Sequence, residues 1–92
     1  MSTEIEADCT DYCNTYFQAC ADHEANTYDD TTDCFLTCTT SGWPLKDPNQ
    51  LNAPGTIECR KNHAILALAG PLVPHCFHSA EVPTKNACGN PP

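Results

Sequence analysis

The sequence predicts a small all-α protein in which a disulfide-linked helical hairpin is followed by a third helix and an extended, proline-rich C-terminal segment. Three observations lead to this fold class: a helical stripe of apolar residues near the start, two Cys-x3-Cys pairs, and eight cysteines in a chain of 92 residues. Cysteine at this density is typical of small proteins that depend on disulfides, because a chain this short buries only a thin core. We expect a single domain over residues 1–92.

The first helix is predicted from a cap and a periodic pattern. Thr3 and Glu6 have the spacing of a capping box, in which each side chain bonds a free backbone amide at the helix start. Seven side chains then recur on one arc of about 100°. They are Ile5, Cys9, Tyr12, Cys13, Tyr16, Cys20 and His23. This stripe predicts a buried face with three cysteines, and His23 is expected to cap and pack near the end of the helix.

The second helix is predicted to begin within residues 29–33, where aspartates and threonines can cap free amides and interact with the helix dipole. Cys34 and Cys38 share one of its faces. Gly42 can take the left-handed conformation that ends a helix, and Pro44 cannot continue one. The helix should therefore end near Ser41.

The third helix is predicted to follow a loop over residues 46–54 and to run from a cap at Thr56 to a stop at Gly70 and Pro71. It has apolar residues on several sides, so more than one neighbour must cover it. The residues concerned are Ile57, Ile65, Leu66 and Leu68. Because a chain this short has few elements to cover them, we expect self-association into an oligomer or filament. The five prolines from Pro71 to Pro92 predict an extended segment.

The cysteine spacing predicts a pattern of bridges. Residues four apart on antiparallel helices face the partner together, which favours the outer pair Cys9 with Cys38 and the inner pair Cys13 with Cys34. Cys20 lies two turns along the same stripe, so the remaining bridges are predicted as Cys20 with Cys59 and Cys76 with Cys88. All 105 pairings of eight cysteines are formally possible. A zinc-thiolate cluster is disfavoured because there is no Cys-x2-Cys knuckle.

The composition also predicts the cellular compartment of the protein and the classes of partner that it can bind. Disulfides persist in oxidising spaces, which predicts an extracellular or periplasmic protein. Residues 1–6 lack the basic and apolar regions of a signal peptide, so we expect a mature form. A net charge of -8 repels phosphate backbones and makes nucleic acid an unfavourable partner. The longest apolar stretch, residues 64–73, is too short to span a membrane.

Three histidines form the candidate ligand set. His63 follows Cys59 by one turn, and His75 and His78 flank Cys76, so a bridge at Cys76 would fix both beside the third helix. Three convergent imidazoles suit copper, zinc or nickel, and two could ligate a non-covalent haem. Covalent haem is disfavoured because Cys-x-x-Cys-His is absent from the sequence. The alternative is that the histidines are ordinary polar or helix-capping residues.

The chain resembles a cysteine-rich module of secreted, uncharacterised bacterial proteins. The resemblance covers nearly the whole chain and is carried by the twin Cys-x3-Cys pairs, by Cys59-Arg60-x-x-His63-Ala64, by His75-Cys76-x-His78-Ser79 and by Cys88-Gly89. Residues 82–87 depart from it, since a glycine-rich run is expected there. The resemblance implies secretion and a place for the three histidines in the pattern, and it brings no established activity.

These observations predict a secreted, non-enzymatic structural or assembly module, such as the subunit of an extracellular fibre or surface assembly. The segment Trp43-Pro44-Leu45 is expected to be exposed and to contribute to assembly. A histidine-bound metal or haem carrier is the alternative, used for metal binding or electron transfer. An enzyme is the weakest hypothesis, because every cysteine fits an even set of bridges and no activated nucleophile is evident.

Overall fold

A computed structural model describes residues 3–83 of the chain. Within that range the protein forms four helices: α1 (Thr3–Cys20), α2 (Thr31–Thr40), α3 (Ile57–Ala69) and α4 (Leu72–Ser79). The described residues contain one isolated β-bridge, between Asp47 and Gln50, and no strand. The predicted all-α class is therefore confirmed.

Helix α1 forms the central element of the fold, because it packs against all three of the other helices. Its predicted stripe is the buried face: Cys9, Tyr12 and Tyr16 have no exposed surface. The helix ends at Cys20, so His23 lies in the turn that follows rather than on the helix. There the Nδ1 atom of His23 accepts a hydrogen bond of 3.0 Å from the amide of Ala25, which stabilises that turn.

Helix α2 is held against α1 by both bridges that the cysteine spacing predicted. Cys9 is joined to Cys38 and Cys13 to Cys34, each with Cα atoms 5.8 Å apart. The helix begins at an N-cap, Asp30, whose carboxylate accepts a hydrogen bond from the amide of Asp33. Two covalent links stabilise a ten-residue helix that is too short to persist alone.

The segment between α2 and α3 packs against the core and corrects one expectation. Trp43 and Leu45 are half-buried against the core rather than exposed. The carbonyls of Pro44 and Leu45 accept hydrogen bonds of 2.9 Å from the first two amides of α3. The connection therefore supplies acceptors for amides that the helix start leaves free.

Helix α3 begins at the predicted N-cap, Thr56, whose hydroxyl accepts a hydrogen bond of 3.1 Å from the amide of Cys59. Its small residues Ala64 and Ala67 are buried, which allows close packing of helices. Ile57 is fully buried in the domain, contrary to its assignment to an uncovered side. The second half of the helix is different, because Ile65, Leu66 and Leu68 are about half exposed.

Helix α4 lies where an extended segment was predicted, so that prediction is wrong for residues 72–79. Pro71 is the N-cap, and the Val73–Pro74 peptide bond is cis. Val73 has non-helical backbone angles, so the regular helical part begins at Pro74, where the missing amide is tolerated because a first turn has no intrahelical acceptor for it. Residues 84–92, the rest of the predicted extended segment, lie outside the described residues. None of the helices in residues 3–83 is long and apolar enough to span a membrane.

The third described bridge joins Cys20 at the end of α1 to Cys76 in α4, with Cα atoms 5.8 Å apart. The predicted pairs Cys20 with Cys59 and Cys76 with Cys88 are therefore wrong. Helix α4 brings Cys76 to the C-terminal end of α1, a position that an extended segment would not define. Cys59 is also disulfide-bonded, and Cys88 lies outside the described residues.

Candidate metal centre

The structure brings His63, His75 and His78 together between α3 and α4. One ring nitrogen from each of the three lies within 4.8 Å of the other two. The ring of His63 is nearly parallel to that of His75, with centroids 5.9 Å apart, and nearly perpendicular to that of His78, at 4.9 Å. His75 and His78 are also nearly perpendicular, at 6.0 Å. We call these three residues the histidine triad.

Helix α4 positions two members of the triad through its periodicity. His75 and His78 are three residues apart, which places both imidazoles on one face. Cys76 lies on a neighbouring face and joins α4 to Cys20 of α1. The bridge thus orients the helix about its own axis, with the two histidines directed at His63 of α3.

Arg60 holds the chain immediately after α4 beside α3. This arginine is only 4% exposed, and its Nε and Nη2 atoms donate hydrogen bonds to the carbonyls of Ala80 and Glu81, at 3.3 and 3.1 Å. Its Nη1 atom donates to the carbonyl of Gly55 at 2.7 Å. The guanidinium carbon lies 3.5 Å from the centre of the Trp43 ring, a cation–π contact. Arg60 therefore joins α4, α3 and the preceding loop.

Two ring nitrogens of the triad lack hydrogen-bond partners. The Nδ1 atoms of His63 and His75 are buried and have none among the described residues. A buried polar atom without a partner costs about 1 to 3 kcal/mol, so these atoms destabilise the fold unless something binds them. A ligand that accepts a lone pair, such as a metal ion, would offset this cost.

The electrostatic setting favours neutral imidazole at His63. Burial lowers its pKa below the ordinary value, and the neighbouring His78 and His75 lower it further because a second positive charge nearby is unfavourable. Neutral imidazole is the form that coordinates a metal. His63 is consequently in the ligating form over a wider pH range than an exposed histidine.

The spacing of the triad can be compared with what an ion requires. A tetrahedral zinc ion has Zn–N distances of about 2.0 to 2.1 Å, which corresponds to about 3.4 Å between two ligand nitrogens. The observed upper limit of 4.8 Å means that side-chain rotation of the order of 1 Å would bring the nitrogens into range. All three rings are only partly buried, which leaves an approach from solvent.

The other predicted residues have different places. His23 contacts Phe77, with ring centroids 5.0 Å apart, and is not part of the triad. The cysteines are excluded as thiolate ligands in residues 3–83, because none of those described is free. The expectation of disulfides rather than a zinc-thiolate cluster is therefore confirmed for this part of the chain.

Sequence reasoning did not assign roles to Arg60 or Tyr12, although both hold the end of α4. Arg60 belongs to the Cys59-Arg60-x-x-His63 motif, and the single arginine of the sequence beside an apolar helical run is the signal that points to it. Tyr12 lies on the predicted buried stripe, but a periodic pattern does not reveal the acceptor of a buried hydroxyl. Both bind the chain at the end of α4, the helix that carries two of the triad histidines.

Comparisons with known protein families, with curated proteins and with solved structures returned no match. The resemblance to a cysteine-rich bacterial module accordingly stays a prediction.

Proposed function

We propose that this protein binds one transition-metal ion, of the zinc or copper class, through His63, His75 and His78. The observation that carries the proposal is the approach of three ring nitrogens, from two different helices, to within 4.8 Å of one another. Imidazole suits zinc, copper and nickel. The unpartnered Nδ1 atoms of His63 and His75 support it, because an arrangement that is unfavourable without a ligand has a physical use when one is bound.

The arrangement favours a single ion over haem. Two axial imidazoles would have to lie on opposite faces of a porphyrin, and the ring plane would extend several ångströms on every side of the iron. In the triad each ring lies within 6.0 Å of both others, so a porphyrin between any two would collide with the third. An ion needs only the space between the nitrogens.

Zinc titration tests the proposal. Wild-type protein purified without metal and titrated with Zn²⁺ should bind one ion per chain, and His63→Ala or His75→Ala should weaken binding by a factor of about 100 or more. His23→Ala is the matched control, because this histidine is outside the triad and its loss should leave the affinity unchanged. A wild-type chain that binds no zinc or copper, or equal affinity in all four proteins, would refute the proposal.

A second candidate function, a subunit of an extracellular assembly, is favoured by the exposed apolar surface where α3 meets α4. Five large side chains there are 42% to 62% exposed: Ile65, Leu66, Leu68, Leu72 and Val73. Exposed apolar patches mark interaction sites in proteins, and we propose that these side chains contribute to one. The bridges support an oxidising location, so we propose that the protein is secreted and that this surface contacts a second copy.

Sedimentation tests this second candidate. The net charge of -8 opposes association, so association should strengthen with added salt. Leu68→Lys should abolish association, whereas Leu51→Lys, which changes an exposed leucine of the loop, should not. A wild-type chain that stays monomeric at high salt and high concentration would refute the assembly.

A further inference from the structure

We infer that the Cys20–Cys76 disulfide and the histidine triad form one redox-linked unit: the oxidised bridge holds the metal site together, and a bound metal protects the bridge from reduction. The inference rests on the proposed metal binding and adds its regulation. It is carried by the position of Cys76, which lies between His75 and His78 and is bonded to α1.

The Cys20–Cys76 bridge is the covalent link that joins the middle of α4 to α1. A helix of eight residues does not persist alone in water, so α4 depends on contacts with the rest of the domain. Tyr12 and Arg60 hold its C-terminal end, through the carbonyls of Ser79, Ala80 and Glu81. The bridge holds its middle, between the two ligands. Loss of the bridge would release His75 while the end of the helix stays attached.

The Cys20–Cys76 bridge is also inaccessible to solvent while α4 is packed against α1. Cys20 and Cys76 have no exposed surface, so a reductant can reach either sulfur only when α4 moves away from α1. A metal ion bound by His63 on α3 and by His75 and His78 on α4 would hold α4 in place. Metal binding should therefore slow the opening that reduction requires.

The reaction needs a reductant, and a dithiol is the class that we propose. One thiolate of the dithiol attacks a sulfur of the bridge and forms a mixed disulfide, and the other cysteine sulfur leaves as a thiolate and takes up a proton. The second thiol of the dithiol then displaces the remaining cysteine. Two electrons pass from the dithiol, which becomes a disulfide, to Cys20 and Cys76, which become thiols.

The coupling free energy between metal binding and reduction of the bridge is the same in both directions. If an intact bridge strengthens metal binding by some factor, a bound metal shifts the reduction equilibrium of the bridge by the same factor. Changing residues that only orient metal ligands typically weakens binding by about 10 to 100-fold. We expect loss of the bridge to fall in that range.

The first test compares two pairs of serine substitutions. Serine is used because free thiols would themselves bind zinc. In the variant Cys20→Ser/Cys76→Ser the zinc affinity should fall at least tenfold. The control variant Cys9→Ser/Cys38→Ser removes a bridge between α1 and α2, and its zinc affinity should change less than threefold. Equal losses in the two variants, or no loss in the first, would overturn the inference. Failure of wild-type protein to bind zinc would instead overturn the proposed function.

The second test uses the wild-type chain, so it does not depend on whether either variant folds. A water-soluble phosphine reduces a disulfide to two thiols while it is oxidised, with water, to the phosphine oxide. Thiols are alkylated during reduction and located by mass spectrometry. Zn²⁺ should slow labelling at Cys76 at least fivefold and leave Cys38 unchanged, and His63→Gln should remove the protection. Equal slowing at both cysteines, or none at Cys76, would contradict the linkage.

Discussion

The hydroxyl of Tyr12 donates a hydrogen bond to the backbone carbonyl of Ser79, 67 residues further along the chain. A phenol has one proton, so the 2.9 Å contact between the Tyr12 and Tyr28 hydroxyls must have Tyr28 as the donor. The two bonds form a hydrogen-bonded chain in the core that ends on the last residue of α4. This chain of hydrogen bonds joins the buried face of α1 to the helix that carries two of the three triad histidines.

Tyr12→Phe should lower the free energy of unfolding by about 1 to 3 kcal/mol, because it leaves a buried carbonyl and a buried hydroxyl without their partner. Denaturant unfolding monitored by circular dichroism measures this. Tyr16→Phe is the matched control: the Tyr16 hydroxyl is buried and has no hydrogen-bond partner among the described residues, so its removal should be neutral or stabilising. Equal losses of unfolding free energy in the two variants would contradict a stabilising role for the Tyr28–Tyr12–Ser79 hydrogen bonds.

Stability should fall steeply in alkali. Burial raises the pKa of Tyr12, Tyr16 and Tyr28 above the ordinary value of 10.0. The unfolded chain then loses phenolic protons at a pH where the folded chain keeps them. The stabilisation from neutral tyrosines is fully present below about pH 10 and is lost as the pH rises above it.

The measurement for this prediction is a rapid pH jump, with phenolate absorbance and helical circular dichroism recorded together. The two signals should change in one transition above pH 10, because the tyrosines ionise as the core opens. Independent ionisation near pH 10 with the helical signal intact would show that the tyrosines are accessible.

Arg60→Lys should lower the free energy of unfolding although the positive charge is kept. A lysine cannot place donors on the carbonyls of Gly55, Ala80 and Glu81 together, and it lacks the flat guanidinium that covers Trp43. We expect a loss of about 2 kcal/mol or more in unfolding free energy, measured in denaturant with tryptophan fluorescence.

The neighbouring residue supplies the control for Arg60. Lys61 forms a partly exposed ion pair with Asp8 at 3.1 Å, and Lys61→Arg should change stability by no more than about 0.5 kcal/mol. If the two substitutions had equal effects, the network around Arg60 would not be the anchor of α4.

Non-reducing peptide mapping should recover Cys20 joined to Cys76, along with the two hairpin bridges. Cys59 is bonded, and Cys88 is the one cysteine of the sequence that these bridges leave, so we predict the pair Cys59 with Cys88. A peptide joining Cys20 to Cys59 would contradict the structure.

The hairpin was predictable because its determinants are local. Helical periodicity identifies the buried face of α1, and cysteines four apart on two antiparallel helices leave one pairing without strain, Cys9 with Cys38 and Cys13 with Cys34. His75 and His78 flank Cys76 and share one face of α4, so their proximity to each other is local, whereas their approach to His63 depends on the direction of the chain after α3. The paired cysteines and these two histidines are neighbours in sequence that are also neighbours on one face.

Helix α4 and its bridge to Cys20 were not predictable in the same way. Prolines at 71 and 74 are read as breaking structure, but Pro71 is the cap and Pro74 begins the regular helical part after the non-helical Val73, and at both positions a missing amide costs little. Which cysteine reaches Cys20 depends on the direction that the chain takes after α3, and this is set by tertiary contacts such as those of Arg60. Contacts between residues that are far apart in the sequence leave no periodic pattern in it.

The most direct measurement of metal binding by the triad is the zinc X-ray absorption spectrum of the loaded protein. Binding by the three histidines predicts a first shell of nitrogen and oxygen at about 2.0 to 2.1 Å, with outer-shell scattering from three imidazoles that falls to two in His63→Ala. A sulfur shell at about 2.3 Å, or a first shell with no imidazole contribution, would contradict metal binding by His63, His75 and His78.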